Sequence, residues 1–269
     1  MIDLKDIQSV RSQFGMDEEG CFWSGEFILL LGDLVVASAR HKNEILTQIL
    51  QKHRYILQDL SNLGMVLFKL EWIRSHAQND DSLKSLWFQF ATTDIDYFHV
   101  EFRSIFDYVA KIIGDITNKP GQITDSFHRL QERLNKPGNR ARLGEELANL
   151  VDSVDWFPDI QGLRDSMIHK GAFTLVFLDP EEGILFQSYG NSLKPFITNK
   201  IALYSKNVVD FQLYSALYLC RLLFFLEEFA KIIRSKLNIK KGGGQAKSYS
   251  PGFELLTNWL DRLTEKIKT

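Results

Sequence analysis

Between residues 206 and 237 the chain offers water almost no polar face. Phe211, Leu213, Leu217, Leu219, Leu222, Leu223, Phe224, Phe225, Leu226, Phe229 and Ile233 fall on nearly every side of the helix that this stretch predicts. Such a helix is stable in water when other elements surround it, or when a partner subunit covers half of it. Asp210, Arg221, Glu227 and Glu228 interrupt the stretch. A membrane span needs about 20 mostly apolar residues free of such charges, so a span is excluded here. The other strongly apolar run, 27–39, is short and carries Asp33.

The rest of the chain has the material for that shell. Of 269 residues, 45% are apolar and 12% aromatic, with 20 Phe, which is the composition of a folded globular protein that needs no disulfide staple. Cys21 and Cys220 form no C-x-x-C and no metal-ligand spacing, so a reducing cytoplasm is the expected setting. The N-terminal MIDLKDIQSV shows neither the basic nor the apolar region of a signal peptide. A formal net charge of -2 argues against a uniformly basic nucleic-acid coat but leaves room for a local site. The charge is segregated: 1–20 and 145–165 are acidic, while 119–142 and 231–269 are basic.

Helical periodicity runs over 26–60 and again over 61–75, with a polar turn at Gln78–Ser82. Residues 1–24 read as an acidic lead-in with a turn at Glu19–Gly20. The cleanest helix is 94–114. Ile95, Phe98, Phe102, Ile105, Phe106, Val109 and Ile113 make its apolar face, Asp96, His99, Arg103 and Asp107 the opposite one, and Thr93 or Asp94 its cap. Lys119-Pro120-Gly121 and Lys136-Pro137-Gly138 signal turns in the polar segment that follows. A helix is expected at 139–154, and another opened by Pro158 and ended by Gly171. Thr174–Leu178 and Ile184–Ser188, joined by Asp179–Gly183, read as a β-hairpin that needs a helical body beneath it. The expectation is a single, mainly α domain over 1–269: a helical bundle with one inserted β-hairpin at about 174–188. Its core spans about 90–237, with helices at 26–75 and a C-terminal helix at 252–267 packed on it.

One stretch stands out chemically: Leu163-Arg164-Asp165-Ser166-Met167-Ile168-His169-Lys170-Gly171. An Arg, a polar residue directly after it, four residues between Arg and His, and a basic-Gly end resemble the R-x(4–6)-H motif of the HEPN superfamily of helical nucleotide-binding domains. The order of long helices before and after the motif agrees with that resemblance over roughly 90–237, with the hairpin as an insertion. The resemblance implies a metal-independent endoribonuclease that uses no cofactor and works as a homodimer, two motifs meeting in a cleft. RNA would be the substrate, and an antitoxin or regulatory protein a partner, in defence, stress-response or toxin–antitoxin roles. Arg164 would hold the scissile phosphate through its planar fork, His169 would act in proton transfer or stabilise developing charge, and Asp165 would orient one of them or the RNA. His99, Arg103, Asp107 and Lys170 are the candidate supporting residues. Residues five apart on a straight helix point about 140° apart. Either the helix ends between Arg164 and His169, or two subunits share the site. The 206–237 helix is the candidate to help bury the dimer face.

Other readings stand beside this one. Arg164 paired with Asp159 or Asp165 would simply brace its helix, with His169 and Lys170 complementing the helix dipole, in a non-catalytic binding or assembly module of the same fold. Asp96–His99 and Asp125–His128 have the carboxylate-x-x-His spacing of a di-iron bundle, with Glu26, Glu44 or Glu71 as further carboxylates. Lys240–Ser248 departs from the phosphate-loop template at Lys241 and Ala246 and reads as a basic loop. If RNA binds, the two basic segments are expected to flank the motif in space.

Overall fold

The structure is a computed structural model that describes residues 3–13, 16–17, 20–23, 25–77, 80–117, 126–136, 138–169, 173–179, 183–189, 200–205, 207–242, 246–247 and 251–269. It is mainly α-helical, with ten helices among the described residues and a four-stranded antiparallel sheet inserted between the eighth and the ninth. The helices are α1 (Leu4–Gln13), α2 (Glu26–His41), α3 (Glu44–Ala77), α4 (Asp81–Ile116), α5 (Phe127–Leu134), α6 (Asn139–Leu143), α7 (Glu145–Asp152), α8 (Phe157–His169), α9 (Phe211–Lys236) and α10 (Pro251–Lys268). Among the described residues no helix is long and apolar enough to cross a membrane.

The apolar helix of the sequence is α9, and it is central. Seventeen of its 26 residues are buried, against α1, α2, α7 and α10. Of its large apolar side chains only Phe224 is substantially exposed, at 39%. The expectation that this helix helps to cover a dimer face is therefore corrected: its apolar surface is consumed inside one chain. It also starts later than the apolar pattern suggests. Asp210 caps it by accepting from the Leu213 N–H at 3.0 Å, and residues 208–210 are a strand.

The largest departures concern helix boundaries. The run 26–60 is two helices, because Lys42 takes a left-handed conformation (φ 46°) and Asn43 accepts from the Ile45 N–H, starting α3. α3 then continues unbroken through 61–75. α4 begins 13 residues before the expected 94, capped by Asp80 rather than by Thr93 or Asp94, which lie inside it. The expected 139–154 helix is α6 and α7, parted at Gly144 (φ 88°), a conformation that needs glycine. α1 and α5 occupy stretches read as lead-in and polar segment. The turns expected at Glu19 and at Lys119–Gly121 lie outside the described residues, as does Pro137.

The hairpin is present, as β3 (Phe173–Asp179) and β4 (Gly183–Tyr189), and it is half of a larger sheet. Two short strands, β5 (Leu203–Ser205) and β6 (Val208–Asp210), extend it in the order β3-β4-β6-β5. β3 is stitched to α4: Thr92 donates to the Thr174 carbonyl at 3.2 Å, and the Thr174 hydroxyl to Asp96 at 2.6 Å. A second small sheet joins β1 (Met16–Asp17), β2 (Gly20–Trp23) and β7 (Ala246–Lys247). One hydrophobic cluster runs from Ile7 on α1 to Leu263 on α10. At one crossing only glycine fits: a Cβ on Gly252 would run into the carbonyl of Gly64 on α3.

Candidate functional site

α8 is pinned to α4 by aromatic packing. Phe157, Ile160 and Leu163 are fully buried at successive turns of α8, and Phe157 packs against Phe106 of α4 with ring centroids 4.8 Å apart and planes tilted by 50°. That face fixes the rotation of the helix and leaves Gln161, Arg164, Asp165 and His169 on the other side.

There the motif closes on itself. The Arg164 Nη1 donates to His169 Nε2 at 3.0 Å and to Asp165 Oδ1 at 3.0 Å. A guanidinium has only donors, so His169 must accept through a lone pair on Nε2, which puts the imidazole in the neutral form with its proton on Nδ1. α8 runs unbroken to His169. This corrects the expectation that the helix ends between the two residues or that two subunits are needed to bring them together. The long Arg side chain swings round the helix and meets an imidazole on the last residue, where no further turn stands between them.

α4 supplies a second cation. Arg103 donates to the same Asp165 Oδ1 at 2.6 Å and lies 3.7 Å from Asp107. Asp165 thus bridges two guanidiniums, while Gln161, one turn before it, donates to its other oxygen at 3.3 Å. Gln161 was not among the sequence candidates, although its i, i+4 spacing to Asp165 was the available signal. Burial pushes the Asp165 carboxyl up, but the Arg164 hydrogen bond, the Arg103 charge and the Gln161 bond together hold it below the usual carboxylate range. Asp107 goes the other way. Its burial outweighs the Phe127 N–H bond and the charges of Arg103, Lys111 and Arg164, so its pKa is raised. The Arg164 and Arg103 side chains are each 20% exposed, and His169 is exposed. Arg164 Nε is buried without a partner among the described residues.

His99 does not join this cluster. It is fully buried, with its Nδ1–H on the Ile95 carbonyl at 2.7 Å and its Nε2 accepting from the Tyr214 hydroxyl of α9 at 2.9 Å. The reason is rotational: the polar face of the sequence is split, Asp96 serving β3, His99 serving α9, Arg103 serving α8 and Asp107 serving α5. Lys170 and the expected terminator Gly171 lie outside the described residues. Asp159, the alternative partner for Arg164, is buried and accepts from the Tyr218 hydroxyl at 2.6 Å.

The basic segments behave differently from each other. α5, in the 119–142 segment, begins at the cluster, because Asp107 accepts the Phe127 N–H at 3.1 Å. In the 231–269 segment three cations brace the fold instead: Arg234 pairs with Asp33 and Glu26, Lys241 with Glu26, and Arg262 with Asp210.

The di-iron constellation is scattered. Asp96 is on Thr174, both His99 nitrogens are engaged, His128 pairs with Glu132, and Glu71 pairs with Arg74. Asp125 lies outside the described residues, and among the described ones no three His, Cys, Asp or Glu are placed to hold a metal ion. Comparison of the chain with protein-family models, curated proteins and solved structures returns no match.

Proposed function

We propose that the chain is a HEPN-like, metal-independent endoribonuclease, with Arg164 on the scissile phosphate and His169 moving the proton. The observation that carries this reading is the 3.0 Å contact between Arg164 Nη1 and His169 Nε2, made at the surface. It sets a phosphate-binding fork beside an imidazole lone pair. An arriving phosphate competes for the Arg164 N–H and frees that lone pair. The 2′-hydroxyl proton then passes to Nε2 and the 2′ oxygen bonds to phosphorus. The bond from phosphorus to the 5′ oxygen breaks, and the leaving oxygen takes a proton from solvent. The products are a 2′,3′-cyclic phosphate and a 5′-hydroxyl end. Asp165 keeps Arg164 and Arg103 side by side, so that the second guanidinium is in reach of a neighbouring phosphate. A defence, stress-response or toxin–antitoxin setting, with a protein regulator, is what the family resemblance adds.

The test is cleavage of RNA by the purified chain in EDTA, beside Arg164→Ala and His169→Ala. Each substitution is expected to lower the rate by roughly 100-fold or more. Equal cleavage by all three proteins, or none by the wild type, overturns the reading. A specific observation favours a second one, a non-catalytic binding module. Arg103, Arg164, Asp107 and Asp165 neutralise one another, and the concavities lined by Trp72 and by Arg221 lie elsewhere. An inactive wild type that loses stability in Arg164→Ala would support that module.

A further inference from the structure

α3 and α4 form a long antiparallel hairpin whose inner face packs on α2, α10 and α8. A groove of about 500 Å³ opens between them, inside the range of about 300–1,000 Å³ that small-molecule sites occupy. Its walls are Met65, Phe68 and Trp72 on α3 and Tyr97 on α4, each 38–47% exposed. Two charged side chains stand among them, Lys69 and Asp94. The Lys69 ammonium donates to Asp94 Oδ1 at 2.8 Å. Asp94 is only 6% exposed, and its other oxygen, Oδ2, is buried without a hydrogen-bond partner among the described residues. A buried acceptor in that state has lost water and gained nothing in return. Burial raises the Asp94 carboxyl in spite of Lys69, which agrees with an oxygen that still lacks a donor. Lys69 has capacity as well, since an ammonium carries three N–H donors and the Asp94 bond takes one.

We propose that the groove binds a free, flat, uncharged ring with a cyclic amide, its N–H on Asp94 Oδ2 and its C=O on the Lys69 ammonium. The polar pair sets the edge. The two charges cancel, so the pair favours a ligand without net charge. An unused acceptor on Asp94 lies beside unused donors on Lys69, and the complement is a donor next to an acceptor, as in a ring amide. The walls set the shape. Trp72 is stacked on His76, with ring centroids 4.2 Å apart and planes at 24°, and together with Phe68 and Tyr97 it offers ring surface to a flat body. The surroundings favour a free ring over a base carried on a phosphate chain. At the Tyr97 end Asn62 donates to Glu101 at 2.9 Å, and Asp59 stands beside Glu101, so the margin there is acidic and repels phosphate. The groove is also not the face that carries the motif. Tyr97 and Arg103 are six residues apart on α4 and point about 120° apart. The proposal therefore does not depend on the ribonuclease reading.

Isothermal titration calorimetry of the full chain at pH 7 tests it with two probes, carbostyril, a benzo-fused ring amide, and N-methylcarbostyril, which keeps the shape and the C=O but lacks the N–H. Carbostyril is expected to bind one site with a Kd on the order of 0.1 mM. The N-methyl probe is expected to bind about 10-fold more weakly or worse, because it leaves Asp94 Oδ2 unpaired. Asp94→Leu, which keeps the volume and removes both oxygens, should weaken carbostyril to the level of the N-methyl probe. Trp72→Ala, at an exposed position that folding does not need, should weaken both probes. Absence of carbostyril binding at about 10 times the expected Kd overturns the proposal. Equal affinity for the two probes overturns it as well, and would leave an apolar groove without an edge. Unchanged binding in Trp72→Ala would place the ring elsewhere. Displacement of carbostyril by single-stranded RNA would give the groove to a base of RNA and overturn the choice of a free ring. If Asp94→Leu does not fold, as circular dichroism would show, the probe pair and Trp72→Ala decide.

Discussion

The core around His99 and the rim around His169 house an imidazole in opposite ways. In the core, burial is complete and both ring nitrogens are spoken for by fixed neutral partners, so the ring is a strut between α4 and α9. Desolvation lowers its pKa to about 4, against a smaller raising effect of the Ile95 carbonyl. At the rim the ring is exposed, and the group on its lone pair is the Arg164 guanidinium, which Asp165 also holds. The same side chain is closed off from solvent in the core and open to it at the rim. Burial and the charge of the partner separate the two sites.

The largest expected difference is in stability. His99→Ala removes a fully buried ring and orphans the Tyr214 hydroxyl, and the cost is expected to be about 3–5 kcal/mol. His169→Ala, at an exposed helix end, is expected to cost about 0.5 kcal/mol or less. Urea unfolding at pH 7 reads both, and similar costs would erase the distinction.

Acid should separate the regions next. His53 resembles His99: fully buried, stacked on Phe27, donating to the Phe27 carbonyl, with its pKa lowered to about 4 by desolvation. Both rings stay neutral in the folded chain down to about pH 4, whereas the unfolded chain protonates them near 6.5. Between those values the unfolded state binds more protons, so stability falls as pH falls, on the order of 2 kcal/mol per histidine at pH 5. Asp59 opposes this. Burial, with Glu101 beside it, raises its pKa to about 7 against the Ser104 hydrogen bond, so its protonated form favours the fold as pH falls from 7 towards 4. Asp94, Asp96, Asp107 and Glu227, whose carboxyls burial also pushes up, act in the same direction as Asp59, so the histidine contribution is read by removing a histidine rather than from the wild type alone. A His99→Phe/Tyr214→Phe variant, which removes the pair without orphaning either partner, should be more stable relative to the wild type at pH 5 than at pH 7. An unchanged slope of unfolding free energy against pH would remove His99 from the account.

Periodicity shows which faces are apolar, and so the buried faces of α4, α8 and α9 could be read from Phe98, Leu163 and Phe229 alone. It does not show where a helix is broken by a backbone conformation. Lys42 is in the left-handed region although lysine carries no sign of it, and α3 passes through Gly64 although glycine suggests a stop. Short edge strands were beyond reach, since β5 and β6 are three residues each and take their identity from pairing with β4. At the site, the motif residues were legible as a spacing. Which members of the polar α4 face would meet them was not, because that depends on the few tens of degrees that send His99 to α9 and Arg103 to α8.

The smallest effect offers the cleanest contrast with the core. Asp165→Asn removes the charge that holds Arg103 and Arg164 together, in a cluster that water still reaches, and should cost about 0.5–1 kcal/mol at pH 7. The sign of its pH dependence follows from the lowered pKa of Asp165. A depressed carboxyl contributes stability that is fully present above the unfolded value near 3.9 and is lost only as pH falls through the lower folded one. The cost of Asp165→Asn should therefore be the same at pH 7 and at pH 5, while the wild type and this variant lose the same histidine-linked stability over that interval. Unfolding free energies of the two proteins at both pH values check this. A cost that shrinks by pH 5 would mean that the carboxyl is already taking up a proton there. The two guanidiniums would then not be holding it ionised, and the rim would behave like the buried core.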